Sequence, residues 1–171
     1  YGKVDANEIP INEFNEVRPG NQYAIGKVGA DAAAFFYYKY YGLKIIRTRM
    51  FTHTGDRRTM MSAECNFAKQ IVSFERMYDE LKDMHGTDWE FVKPSIRFYL
   101  KHGNLHSVRT WANVKDAVKA YYLLFQKGVP GEVYNIGGVV NKTIGEMLDY
   151  MISLSPIREN IIKQEDPNLI R

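Results

Sequence analysis

Tyr23 and Lys27 stand four residues apart in the stretch NQYAIGK. On a helix that spacing puts both side chains on one face, with the ammonium able to reach the phenol. A cation beside a phenol favours the phenolate, and such a tyrosine can take or give a proton at an alcohol or a carbonyl. The lysine can also hold a ribose hydroxyl. The same spacing occurs in many helices by chance, so the pair alone leaves catalysis and ordinary surface packing both open. In MFTHTGDRR, Met50 to Arg58, the forked guanidiniums of Arg57 and Arg58 suit a phosphate, with a solvated basic turn as the plainer reading. His85, His102 and His106 have no ligand spacing and read as surface or packing residues. No G-x-G-x-x-G or P-loop occurs, so these residues include no recognisable phosphate cradle. No paired-cysteine or His-Glu-x-x-His spacing points to a metal.

The elements that would position these groups follow an α/β order. Turn-rich residues 1–22 lead into a helix over about Asn21–Tyr41, stopped by Gly42. Its FFYYKYY end is expected to be mostly a buried face. LKIIRTRMF reads as a parallel, central strand. A helix over roughly Ala63–Met84 carries Phe67, Ile71, Phe74, Met77, Tyr78 and Leu81 on one side. Residues 85–104 read as irregular with a short strand. SVRTWANV reads as extended, KDAVKAYYLLFQKG as a helix ending at Gly128, and GEVYNIGG as a strand and turn. KTIGEMLDYMISLS is an amphipathic helix with Ile144, Met147, Leu148, Met151 and Ile152 on its stripe. ENIIKQED is a last short strand or a loop. Asp116 reads as a helix-start residue, placed where a carboxylate favours the dipole.

Composition narrows the class. The chain has 171 residues, 45% of them hydrophobic, enough for a core. Its net charge of +3 is too small to imply nucleic acid or an anionic membrane surface, yet suits a small anionic ligand. A single cysteine, Cys65, excludes an internal disulfide framework and fits a reducing compartment. With no apolar run of about 20 residues, the expectation is a cytoplasmic protein without a membrane span.

Taken in order, the segments PINE, RPGNQYAIGK, the aromatic helix, IIRTRMF, THTGDRR, FAKQI, GNL, VRTWANVKDAVKAYYLL and GEVYNIGG resemble one family over nearly the whole chain. They are similar to the C-terminal part of extended short-chain dehydrogenase/reductases acting on nucleotide sugars. The similarity is greatest to the GDP-mannose 4,6-dehydratases and the neighbouring GDP-4-keto-6-deoxymannose reductases. It implies an α/β chain in which residues 1–60 complete a Rossmann-type parallel sheet that binds NADP or NAD. Residues 61–171 would form mainly a smaller α/β nucleotide-sugar domain, with segments near 108–136 returning to the cofactor domain.

The resemblance also assigns roles. Tyr23 and Lys27 would be the catalytic pair and, with Phe51, His53 and Arg58, would line the cofactor. Thr52, Arg58, Asn66, Lys69, Asn104, Arg109 and Arg171 would meet the nucleotide sugar. Thr52 stands where the family carries an asparagine and Asn66 where it carries a lysine, with Lys69 one turn away as a substitute. Glu75 to His102 is longer than its counterpart in the family, which leaves the sugar open. A preceding half-domain is implied, holding the glycine-rich loop and the Thr/Glu motif that separates dehydratase from reductase. The expected protein is therefore a 4,6-dehydratase-like lyase, homodimeric or homotetrameric, inactive as this stretch alone. A reductase, another epimerase or dehydratase, and a truncated non-catalytic nucleotide-binding homologue are the alternatives.

Overall fold

A computed structural model describes residues 1–170. The described chain divides into two compact units, one formed by residues 1–54 and 111–139, the other by 55–110 and the described residues from 140 on.

In the first unit, helix α1 runs Gln22–Tyr41. Asn21 starts it, its side-chain oxygen accepting from Ala24 N at 2.9 Å, as expected of an N-cap. Gly42 ends it at φ 69°, a left-handed position that suits glycine, and its N–H reaches the carbonyls of Tyr37 and Tyr38. Strand β1, Arg47–Met50, pairs in parallel with β5, Val133–Ile136, placing Arg47 opposite Val133 and Arg49 opposite Asn135. Strand β2, His53–Thr54, pairs in parallel with the Ala112–Asn113 end of β4, Val108–Asn113. Helix α4, Val114–Lys127, follows, with Asn113 as its cap and Asp116 in its first turn.

The expected strand over residues 43–51 starts only at Arg47. The left-handed turn at Gly42 and local bonds, such as Ile45 N to Leu43 O at 2.9 Å, occupy the residues between. The aromatic run is a second correction. No residue of α1 is buried, and Phe35, Phe36, Tyr37, Tyr40 and Tyr41 are 44–72% exposed. Consecutive positions step about 100° around a helix, so a run of six aromatics within seven residues cannot share one face. Only the stripe Ala24, Val28, Asp31, Ala34 and Tyr38 is half-buried. A Cβ built on Gly131 would sit 2.3 Å from the Tyr38 ring, so that stripe's close approach depends on a glycine.

The second unit holds the better-formed core. Helix α2, Ala63–His85, packs on α5, Ile144–Ser153, and on strand β3, Phe98–His102. Strand β7, Ile161–Glu165, pairs in parallel with β3. Phe67, Ile71, Phe98, Leu100, Leu148, Ile157 and Ile161 make up the buried cluster. Phe74 stacks on Phe98 at 5.1 Å, and Tyr78 meets Trp89 of the short helix α3, Trp89–Val92, edge-on. Met77 leaves the expected stripe and is half exposed, because 67, 71, 74, 78 and 81 already fill the inward face. Strand β6, Val140–Thr143, lies beside β4, where Thr110 Oγ1 donates to Asn141 Oδ1. Thr143 and Glu146 then cap α5 reciprocally.

The opening loop is knit by Arg18. Its guanidinium forks onto Glu8 at 2.6 and 2.8 Å, and backbone bonds join it to Tyr1 and Lys3. The Arg18 bond first, and the Asp5 amide second, hold the Glu8 carboxyl down at about 2, below its ordinary 4.5. The folded value lies below the unfolded one, so Glu8 stabilises the fold fully above pH 4.5 and stops doing so as pH falls through about 2. Glu8→Gln should therefore lower Tm at pH 6, with the gap to wild type closing between pH 4.5 and 2. Thermal melts across that range check this, and a gap independent of pH would contradict it.

Candidate functional site

Tyr23 and Lys27 project from the first two turns of α1 into a cleft of about 830 Å³ that lies wholly within the first unit. Both are exposed, and the Lys27 ammonium stands 5.3 Å from the centre of the Tyr23 ring. The spacing read from sequence thus produces the expected neighbours on one helix face. Phe51 and His53 line the same cleft, carried there by the chain leaving β1, and His53 Nδ1 lies 3.2 Å from Phe51 O. The cleft falls within the range of small-ligand sites, about 300–1,000 Å³.

Four groups at the floor of this cleft are absent from the sequence-based set. Tyr1 stacks on Phe51 with ring centres 6.1 Å apart and donates its hydroxyl to Asn135 Oδ1 at 2.6 Å. Arg49 lies over the Tyr1 ring at 4.9 Å and donates to Glu13 O at 3.0 Å. Arg47 covers the Phe35 ring at 5.0 Å and donates to Gly131 O at 3.1 Å. Both arginines converge on one oxygen, Asp31 Oδ2, at 3.3 Å from Arg47 and 3.1 Å from Arg49. Burial opposes the charge on Arg49, but bonding to Tyr1 and Asp31 outweighs it and holds the guanidinium more firmly protonated than usual. The sequence shows only the separate halves of this group: Arg47 and Arg49 fall on one strand face, and Asp31 lies one turn beyond Lys27.

The remaining residues are placed elsewhere or differently occupied. The backbone oxygen of Thr52 accepts from Ala112 N at 3.1 Å in the first unit. In the second unit, Arg58 Nε pairs with the nearly buried Glu64 at 2.6 Å, and Arg57 takes a left-handed φ of 66°. Asn66 is exposed on α2 and accepts from Gln70, with Lys69 exposed beside it. Asn104 closes a turn by accepting from His106 N, and Arg109 is exposed on β4 with Nη1 bonded to Val108 O. Arg171 lies outside the described residues. Among the described residues no group of His, Cys, Asp or Glu converges as a metal site, and no helix is long and apolar enough to cross a membrane.

A parallel-stranded α/β unit with a helix along its strands and a cleft beside them fits a Rossmann-like fold. The chain belongs to the NAD dependent epimerase/dehydratase family, whose profile matches residues 1–137. It is 25% identical over 171 residues to the GDP-6-deoxy-D-mannose reductase of Pseudomonas aeruginosa, covering all of this chain and 50% of that one. To the dTDP-glucose 4,6-dehydratase of Haemophilus influenzae it is 26% identical over 167 residues, covering 95% and 43%. Among solved structures, the dTDP-glucose 4,6-dehydratase of Bacillus anthracis in complex with NAD superposes at a TM-score of 0.69. Identity there is 26%, over 97% of this chain and 45% of that one. RMD from Pseudomonas aeruginosa complexed with NADPH shares the fold at a TM-score of 0.75, with 24% identity over 97% and 50%. The chain therefore spans half or less of the length of these relatives.

Proposed function

We propose that this chain carries the acid–base pair and much of the substrate side of a nucleotide-sugar 4,6-dehydratase, with GDP-mannose as substrate. The observation that supports it best is the convergence of Tyr23, Lys27, Phe51 and His53 on one cleft. The donor set there, a phenol and an ammonium beside two stacked rings, fits the nicotinamide riboside of NADP or NAD. The phosphate cradle of such a dinucleotide is not among these 171 residues.

When bound beside Tyr23, Lys27, Phe51 and His53, the dinucleotide would supply a reversible hydride acceptor for the sugar. Tyr23, as phenolate, takes the proton of the C4 hydroxyl while Lys27 stabilises its negative charge and holds the ribose hydroxyls. Water then leaves across C5 and C6 of that ketone, the hydride goes to C6, and a proton equivalent to the one held by Tyr23 goes to C5, so the C4 ketone remains in the product. Arg58, Asn66, Lys69, Asn104, Arg109 and Arg171 are the proposed contacts to the nucleotide diphosphate and sugar. In this reading the first unit is cofactor-binding and the second nucleotide-sugar-binding. The test is the full-length protein incubated separately with GDP-mannose, with dTDP-glucose, and with a GDP-4-keto-6-deoxy sugar plus NADPH. Loss of water from GDP-mannose supports the proposal, and no dehydration of GDP-mannose, whether or not dTDP-glucose is dehydrated, overturns it. Consumption of NADPH on the keto sugar alone would establish the second reading, a reductase, which alignment of all 171 residues with half of the Pseudomonas reductase favours.

A homodimer or homotetramer is proposed through α1, where Phe36, Tyr37, Tyr40 and Tyr41 form an exposed cluster with ring centres 4.9–5.8 Å apart. Such a patch marks an interaction surface more often than a solvated one. Phe36→Ser with Tyr40→Ser should convert the full-length protein to a monomer by light scattering; an unchanged oligomer, or a monomeric wild type, would contradict this.

A further inference from the structure

We propose that Asp31 is a positioning residue for the Tyr23–Lys27 pair, clamping α1 to β1 through Arg47 and Arg49 so that the phenol stays in register with the cleft; this rests on the acid–base reading above. The helix bearing the pair has no buried residue. Its apolar packing is limited to the half-buried Ala24, Val28, Ala34 and Tyr38, which leaves polar contacts a large share in fixing its rotation and slide along the sheet. Asp31 is the one acidic residue of α1, and it meets two guanidiniums through a single oxygen at 3.3 and 3.1 Å. Both arginines are already held independently: Arg47 by Gly131 O and the Phe35 ring, Arg49 by Glu13 O and the Tyr1 ring. They alternate along β1, so they share one face and form a fixed two-point socket. All three side chains are three-quarters or more covered, which strengthens the contact relative to a surface pair.

Tyr23, Lys27 and Asp31 follow at successive intervals of four residues, close to one helix face, with Asp31 about 12 Å along the axis from Tyr23. A rigid helix passes any rotation or slide at Asp31 directly to the phenol. Without the carboxylate, two largely covered guanidiniums on β1 would stand side by side unneutralised and lose their shared tie to the helix. Displacement of a reacting group by about 1 Å can cost on the order of 10²-fold in rate.

The test uses the full-length protein with its dinucleotide bound, comparing Asp31→Asn, Asp31→Glu and Tyr23→Phe, with rates expressed per bound dinucleotide. Asp31→Asn should lower kcat about 10- to 100-fold with KM for the sugar nucleotide changed less than about 3-fold, and Asp31→Glu should recover part of the rate. A role in stability alone would lower the yield of folded protein but leave kcat per bound dinucleotide intact, and that result overturns the proposal. If Asp31→Asn does not fold, Arg49→Lys, which keeps a cation on Asp31 without the fork, should show the same split at about 3- to 10-fold. Unchanged kcat in that variant overturns the clamp. Tyr23→Phe separates the two claims. If it retains full rate, the acid–base reading fails and the clamp with it; if it is dead while Asp31→Asn is fully active, the clamp alone fails.

Discussion

Full-length protein carrying Tyr23→Phe is expected to lose turnover by about 10²–10⁴-fold while keeping its fold, because the change removes one hydroxyl and nothing else. The ring remains, so its cation–π contact with Lys27, whose ammonium lies 5.3 Å away, also remains. Tyr23 is 74% exposed, and a substitution at such a surface position usually shifts stability by less than about 0.5 kcal/mol. A drop in kcat without a drop in Tm is therefore the signature of lost proton transfer. Steady-state kinetics and thermal melts on the same preparation check both halves. A variant that loses rate and Tm together would point to packing, and one that loses neither would remove Tyr23 from the reaction.

Leu148→Ala should be the most destabilising single truncation in the second unit, at about 3–5 kcal/mol. Leu148 is fully buried on α5, in the cluster that joins α2 to the β3–β7 pair. Its neighbours are held by other constraints: Phe98 by its stack on Phe74 and by the β3–β7 ladder, and α5 by its reciprocal Thr143–Glu146 cap. The cavity would therefore collapse only partly, and incomplete collapse is what raises the cost of such truncations. Denaturant midpoints of wild type and variant measure it. A loss below about 1 kcal/mol would show that the site relaxes around the missing side chain.

The four longer helices were legible in the sequence to within a residue or two from apolar periodicity and the stops at Gly42 and Gly128, whereas the short α3 fell in a segment read as irregular. The parallel, α/β character followed from strands placed between those helices. Strand β6 escaped because VNKT is mostly solvent-facing and shows no period-2 pattern, and the pairing of β7 with β3 joins segments far apart in sequence. Hydrophobicity of FFYYKYY was read as burial, whereas burial needs a partner surface as well as apolar side chains.

The site divides the same way. Tyr23 and Lys27 could be found because helix periodicity places them together, and Phe51 and His53 because their segment resembles the family. The Asp31–Arg47–Arg49 group is a contact between two elements, and no local spacing shows that a helix face will meet a particular strand face. Tyr1 enters through a loop fixed by Arg18, which is equally a tertiary matter.

The most direct test of the central claim is product analysis by mass spectrometry of full-length protein, wild type beside Tyr23→Phe, incubated with GDP-mannose. The wild type should yield a GDP-sugar lighter by one water, and Tyr23→Phe at most about a hundredth of that rate. Dehydration at equal rates in both, or none in the wild type, would contradict it.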